Sequence, residues 1–521
     1  MTRSTRLRFT GIAAVATVAL AACGGGSSSS NGAGGSSEPV AGGTLTIARS
    51  QDIISMDKTT TFDNNSIYVM EQIMEPLFTV SKDGSKVDPW LATGYDISTD
   101  KLTYTIHLRK NVKFSTGAPL TAADVKFSID EDTKTGTDGW GYINSAIDTV
   151  TATDDSTVTI KLKYAWAPLL ADLSLFSNGV IPNNYGGKSK ADFYTAPVGT
   201  GPFVWGSWTK GQSVKVTANK NYWGNKPHLD GVTWTVVADA NTRKLQLQGG
   251  QIDIDDTPDW SSFQSLKGTA GINAQTFKST YEEYVTFNEQ RKPFQDVHVR
   301  RAIASAIDRN AIIKTVLFGN GTVADSLLSP GTPFYDKDNG APTFDVAKAK
   351  QEMAQSTVPN GFSTTILIAS GNPDQASIAQ IMQSELKQIG IDLKITQLDP
   401  TAQKQARLKS QFDMVAQAWT MDIPDPDEWT SFAVDPSGGS HSSFSYYNNP
   451  QIIALNKQAE QETDDSKRQQ LYSQLQKQVS TDSPFAYLYY APYVFAMKDS
   501  VKGFYSTPLG NYHLEDVYKT K

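Results

Sequence analysis

Two hydrophobic periods alternate along the chain. Apolar–polar alternation with a period of two, the mark of a half-buried strand, runs through residues 102–108, 158–162 and 232–236. A helical period carries Val299, Ala302, Ile303, Ala306 and Ile307, then Ile312 and Ile313, and predicts a helix over 299–313. Ile378, Ile381, Met382, Leu386 and Ile389 predict another over 378–389, closed by Gly390 and followed by a strand over 391–395. Residues 363–417 read strand–helix–strand–helix–strand, which implies a parallel sheet. The first third is richer in strands and hairpins. Residues 451–480 read as two helices separated near Asp464-Asp465. No internal repeat is visible.

Length turns this pattern into more than one lobe. The chain has 521 residues, and domains hold roughly 100–200 each. Lys and Arg number 47 against 54 Asp and Glu, a net charge of −7, without the basic excess of a nucleic-acid binder. One cysteine excludes an intrachain disulfide framework and any multi-cysteine metal site. The histidines at 107, 228, 298, 441 and 513 include no i,i+4 pair, a poor inventory for a metal centre. We expect neither metal nor cofactor.

The position of that cysteine matters more than its number. Arg3, Arg6 and Arg8 precede an apolar run from Phe9 to Leu20, too short to span a membrane and typical of an export signal. The run ends Leu20-Ala21-Ala22-Cys23, which resembles the bacterial lipobox. Residues 1–22 are therefore expected to be a lipoprotein signal peptide and Cys23 the lipidated residue. Residues 23–37 are Gly- and Ser-rich, the composition of a flexible tether. No other stretch has eighteen consecutive apolar residues. The expected location is the extracytoplasmic face of the cell membrane, held by lipid alone. Neither GxxxxGKS/T nor GxGxxG occurs.

Several motifs have direct physical readings. Thr121 with Asp124 is a near capping box. Gly199-Thr200-Gly201-Pro202 reads as a rigid turn in which the glycines supply positive φ. Arg300, Arg301 and Arg309 are expected to pair with acids such as Asp296 and Asp308. Beyond the end of the tether there is no low-complexity linker, so lobes should join through close crossings.

Four blocks, in order, resemble the extracellular solute-binding proteins of ABC importers, family 5. They are Trp90-Leu91-Ala92 with 104–109 and 112–125; 197–203 with Trp208, Gly211 and 221–224; Asn288, Pro293-Phe294 and 296–309; and Phe412-Asp413-Met414-Val415 leading to Trp419-Thr420-Met421-Asp422. The resemblance implies an α/β, two-lobe periplasmic-binding-protein-like fold, type II in its large family-5 form, with a hinge and an extra inserted subdomain. Residues 38–75, 196–287 and 485–521 would form lobe I, 76–195 its insertion, and 288–484 lobe II.

A cleft between lobes needs contacts from both sides. On lobe II the candidates are Trp419, Thr420, Met421 and Asp422, where a strand ends and a loop with Pro424 and Pro426 begins. Ligands of open α/β sheets sit at the carboxyl ends of strands. In peptide-binding relatives, the resemblance implies, the acid matching Asp422 pairs with the peptide's α-ammonium. A carboxylate in a closed cleft gives a charge-assisted bond worth about 1.5–3 kcal/mol. The backbone of 419–421 could add strand-like hydrogen bonds. The same loop holds Asp425, Asp427 and Glu428, which read either as solvated acids or, for Asp427, as the start of a helix holding Trp429 and Phe432. On lobe I the turn Thr61-Phe62-Asp63-Asn64 matches a ligand-facing stretch in relatives. Dipeptide-binding relatives place an arginine after the strand matching 365–368; here no Lys or Arg occurs between 362 and 376, which argues against strict dipeptide recognition.

The expected function is capture of oligopeptides for an importer, with a membrane permease as partner, no nucleic acid, and a monomeric chain. The alternatives are an oligosaccharide, a nickel chelate or another non-peptide solute in the same role, and a co-receptor sensing a signal peptide. GxSxG and HExxH are absent, and no catalytic residue is expected.

Overall fold

A computed structural model describes residues 39–437 and 440–521. The signal peptide, Cys23 and the whole tether lie outside the described residues. No helix among the described residues is long and apolar enough to cross a membrane.

Three larger sheets organise the chain. The first has seven strands, in the order Ile272–Phe277, Tyr493–Lys498, Ile254–Asp255, Thr44–Arg49, Gly231–Val236, Ser213–Ala218 and Phe203–Thr209. Thr44–Arg49 runs parallel to both its neighbours. Leu45, Ile47, Val232 and Trp234 place its apolar face in the first core. The second sheet has six strands, ordered Thr322–Val323, Phe485–Tyr490, Glu282–Phe287, Met414–Trp419, Phe362–Ala369 and Ile391–Leu398. Its last three strands are parallel, as the strand–helix repeat over 363–417 predicts. The third is a four-stranded antiparallel sheet, Ala92–Ile97, Thr103–Leu108, Thr157–Leu162 and Ile147–Asp154, covered by the helix Ala122–Thr133. This inserted part is not free-standing. Its Trp140, Ile143, Phe176 and Ile181 share a core with the seven-stranded sheet.

The expected lobe boundaries need correction. Residues 282–287 and 485–490, assigned to lobe I by the sequence, are neighbours in the six-stranded sheet. Every residue of both strands is buried, as central strands require. The chain therefore crosses between sheets after Phe277 and again after Tyr490. The crossings hold each other: the Ser279 hydroxyl donates to the Ala491 carbonyl at 2.7 Å and accepts the Tyr281 N–H at 2.6 Å.

Three local expectations also change. The helix over 299–313 is two helices, Val297–Ala306 and Arg309–Val316, because Asp308 leaves helical geometry and caps the second through the Ala311 N–H. Gly199 and Gly201 do not adopt positive φ. They are glycines because a Cβ would lie 2.0 Å from the Ile73 carbonyl oxygen and 2.5 Å from that of Gln72. Arg300, Arg301 and Arg309 mainly cap carbonyls instead of pairing with Asp296 and Asp308, which are helix N-caps; Arg300 donates to the carbonyls of Asp482 and Phe294 and pairs with a different acid, Glu289, at 3.5 Å, while Arg301 donates to Thr481 and Arg309 to Tyr487. In the expected capping box, Asp124 accepts both the N–H and the hydroxyl of Thr121 at 2.8 Å. The long helical stretch splits into Pro450–Gln461 and Asp465–Asp482, with Asp464 as N-cap.

Candidate functional site

The strand Met414–Trp419 ends at a tight loop that feeds the helix Asp427–Val434. Glu428, in the first turn of that helix, reaches back and accepts the N–H groups of Asp422 and Ile423 at 2.7 and 3.0 Å. Asp425 binds Arg468 through two hydrogen bonds of 2.8 and 2.9 Å. Asp427 accepts the Ser431 hydroxyl at 2.6 Å. Of the two sequence readings, the solvated loop is excluded: Asp425, Asp427 and Glu428 are all buried, and Asp427 opens the helix carrying Trp429 and Phe432.

Asp422 is part-buried, and its charge acts on Glu71 and Tyr493 of the seven-stranded side. Burial pushes its carboxyl up to about 6. Burial also drives Glu428 well above the ordinary carboxylate range, and the adjacent Asp422 charge adds to this. Across the interface lies Glu71, which caps the helix Asn64–Met70. Burial pushes Glu71 up to about 8; an Asn511 hydrogen bond opposes the rise and the Asp422 charge increases it. Tyr493, at the start of its strand in the seven-stranded sheet, and Tyr142, from the inserted part, are raised by burial and by the same acids. Three segments far apart in sequence thus converge on one carboxylate loop.

Aromatic rings close the gap between the two sides. Phe62 stacks on Trp140 with centroids 4.6 Å apart. Trp140 meets Tyr142 at 6.1 Å, and Tyr142 meets Phe432 at 6.4 Å. Phe432 packs on Trp419 at 5.0 Å, and Trp419 stacks on Trp429 at 4.7 Å and 18°. The Trp419 indole N–H is buried without a partner.

The sequence candidates separate accordingly. Asp422 and Thr420 face the other side, Thr420 beside the Tyr493 hydroxyl. Trp419 is a wall between two rings with an unused donor. Met421 is 2 % exposed and belongs to the core, and its N–H is taken by the Thr280 hydroxyl at 3.0 Å. Phe62 is 54 % exposed and starts the aromatic run. The Asp63 carboxylate is occupied by the N–H and hydroxyl of Ser66. Asn64 is exposed on the first helical turn. Among the described residues, no hydrogen bond or ring contact links Asp63 or Asn64 to the Asp422 loop. Sequence reasoning missed Glu71, Tyr142 and Tyr493; none carries a local signal, since the fold alone brings them to Asp422. After the strand Phe362–Ala369, Asn372 caps the next helix.

Among the described residues, no group of three His, Cys, Asp or Glu side chains could hold a metal ion.

Known proteins match this architecture along almost the whole chain. The probable D,D-dipeptide-binding periplasmic protein DdpA of Escherichia coli K12 is 29 % identical over 484 residues, covering 91 % of this chain and 93 % of that protein. The structure of the ABC transporter-associated periplasmic binding protein DppA from Helicobacter pylori, in complex with the peptide STSA, superposes with a TM-score of 0.81 at 29 % identity, covering 92 % and 99 % of the two chains. The oligopeptide-binding protein AppA from Bacillus subtilis, in complex with a nonapeptide, gives 0.79 at 26 % identity, covering 93 % and 100 %. The profile described as bacterial extracellular solute-binding proteins, family 5, middle, matches residues 86–441. This chain therefore belongs to the family 5 bacterial extracellular solute-binding proteins, and it is a binding protein, not an enzyme.

Proposed function

We propose that this chain is the lipid-anchored receptor of an ABC importer that captures oligopeptides between two lobes and hands them to a membrane permease. Lobe I is built on the seven-stranded sheet with the insertion 76–195, and lobe II on the six-stranded sheet. They close about the paired crossings at 278–281 and 491–492. The observation that carries this reading is the Asp422 carboxylate, at the carboxyl end of a central strand and facing Glu71 and Tyr493 of the other side. A peptide α-ammonium satisfies that carboxylate where water is excluded. The named substrates of similar proteins are a D,D-dipeptide, the peptide STSA and a nonapeptide, so peptide length varies while the fold is kept. The absence of Lys and Arg between 362 and 376 favours a peptide whose C-terminus reaches a wetter region.

Closure requires that the ligand bind the closed form more tightly than the open one. Cys23 supplies the anchor: Cys23→Ser should release the protein from the membrane fraction. The function is tested by native mass spectrometry of freshly purified protein and by calorimetry with mixed peptides on the wild type and Asp422→Asn. A co-purifying peptide, and loss of affinity in the variant, are expected. Failure of any peptide to bind overturns the reading. An oligosaccharide is less well supported, because the rings near the loop are stacked on one another.

A further inference from the structure

The insertion reaches past the lobe it belongs to. Trp140, Ile143, Phe176 and Ile181 bury it in the core of the seven-stranded sheet, so it moves with that lobe. It nevertheless touches the six-stranded side at four places. The Ala167 N–H donates to the Glu460 carbonyl at 2.8 Å. Its neighbour Trp166 is buried and anchors this segment through an indole bond to Asp172 at 2.6 Å. Lys101, in the turn between the strands Ala92–Ile97 and Thr103–Leu108, donates its ammonium to the Thr463 hydroxyl, 362 positions away. Val80 packs on the core that holds Trp429 and Leu475, and Tyr142 meets Phe432. The two hydrogen bonds use one feature of the facing lobe, the end of the helix Pro450–Gln461. The Glu460 carbonyl is among the last four of that helix, which lack intrahelical donors, and a cation beside Thr463 sits at the negative end of the helix dipole.

We propose that Lys101 and Ala167 of the insertion, with Glu460 and Thr463 of the facing lobe, form a latch that fastens the two lobes in the closed state whatever solute they enclose. The proposal rests on the two-lobe closure proposed above and gives the insertion its part in it. An insertion fused to the core of one lobe cannot follow the other, so opening breaks all four contacts together. The break is reversible. Lys101 is exposed, and Ala167, Glu460 and Thr463 are only part-buried, so water replaces each lost partner. The latch therefore adds a small bias toward the closed form that does not depend on the solute. A bias of this kind raises the affinity for every solute by the same factor, because it changes how much of the protein is closed and not what the cleft contacts.

The test separates the latch from the ligand site. Lys101 has a φ of 60°, which glycine adopts freely, so Lys101→Gly removes the ammonium without straining the turn. Thr463→Val removes its acceptor, and Ala167→Pro removes the N–H. Calorimetry on the full mature protein uses Ala-Ala-Ala-Ala-Ala and Gly-Gly-Phe-Gly-Gly. Both affinities should fall by the same factor, about threefold to tenfold, in Lys101→Gly and in Thr463→Val, the scale of one hydrogen bond. The Lys101→Gly, Thr463→Val double variant should be no weaker than either alone, as for two partners of one contact. Small-angle scattering without ligand should give a larger radius of gyration for Lys101→Gly combined with Ala167→Pro than for the wild type. The Lys101→Gly, Thr463→Val pair provides the same comparison should Ala167→Pro fold poorly. Unchanged affinities and radii overturn the latch. So does a loss confined to one of the two peptides, which would make these residues solute contacts. Failure of both peptides to bind overturns the peptide reading and leaves the radius to decide the latch, equal radii overturning it as well.

Discussion

Glu428 accepts the backbone N–H of Asp422 at 2.7 Å, so the loop that presents one carboxylate is held by another. The arrangement fixes the loop but sets two acids side by side, and at neutral pH like charges this close do not both ionise. Replacing Glu428 with alanine strands the N–H groups of Asp422 and Ile423 in a buried site. We expect a loss of about 1–3 kcal/mol of stability. Glu428→Gln keeps an acceptor for both donors and cannot ionise, so its cost should be far smaller and should shrink further as pH rises. Thermal unfolding of both variants at pH 6 and pH 8.5 checks the order; equal destabilisation by Ala and Gln would contradict it.

The ligand-free protein should lose stability as pH rises through neutrality. Burial raises Glu71 and Glu283 to about 8, Glu289 and Glu385 to about 7, and Asp132 to about 6. In the unfolded chain such groups titrate near 4. Between these values the folded state binds more protons than the unfolded state, so stability falls with increasing pH. Their contribution is complete below about pH 4 and is lost as pH rises through about 6 to 8. The midpoint of thermal unfolding should drop by several degrees between pH 5.5 and 8.5 without ligand. A flat or rising profile would contradict the assignment.

The junction between the insertion and the first sheet depends on close backbone approach. A Cβ at residue 199 would sit 2.0 Å from the Ile73 carbonyl oxygen. The neighbouring Thr200 hydroxyl donates to Glu75 at 2.6 Å, and Trp90, Tyr222 and Trp223 donate to the same carboxylate. Gly199→Ala must therefore separate two segments that share one buried hydrogen-bond centre. We expect a loss of about 3 kcal/mol or more, in the severe range for a single substitution. Gly94→Ala, where nothing lies within 4 Å of the added carbon and φ is ordinary, is the control and should be near neutral. Parallel denaturation curves decide; comparable losses would show that crowding at 199 is not the cause.

Local periodicity carried the strands over 103–108 and 231–236 and the parallel unit over 362–419, because half-buried surfaces and βα repeats write themselves into adjacent residues. It failed where the cause is remote. Glu282–Phe287 and Phe485–Tyr490 are buried on both faces, so their patterns hold no record of which sheet they join. Gly199 and Gly201 answer to carbonyls more than 120 positions earlier in the chain. Asp308 breaks a helix whose apolar period continues through it. The site divides in the same way. Asp422 is a candidate because it is the acid at a strand end within a family-like block, whereas Glu71, Tyr142 and Tyr493 come near it only through the chain crossings and the insertion. Met421 and Asp63 were drawn into the site by adjacency, and the fold uses one in the core and the other as a cap.

The Arg468–Asp425 pair anchors the loop from behind. Both side chains are buried, and Arg468 also donates to the Ala459 carbonyl and lies over the rings of Phe334 and Tyr472. Attraction to Asp425 holds the guanidinium above its usual range despite burial. Removing one partner leaves an uncompensated buried charge, at a cost of about 3–5 kcal/mol. Arg468→Met, which keeps the side-chain length, should therefore lower the urea midpoint strongly. Asp425→Asn in the same chain removes the stranded charge and should recover a large part of the loss. The double-mutant cycle separates charge from packing: a double variant as unstable as Arg468→Met alone would mean that the guanidinium acts through Phe334, Tyr472 and Ala459, with Asp425 contributing little.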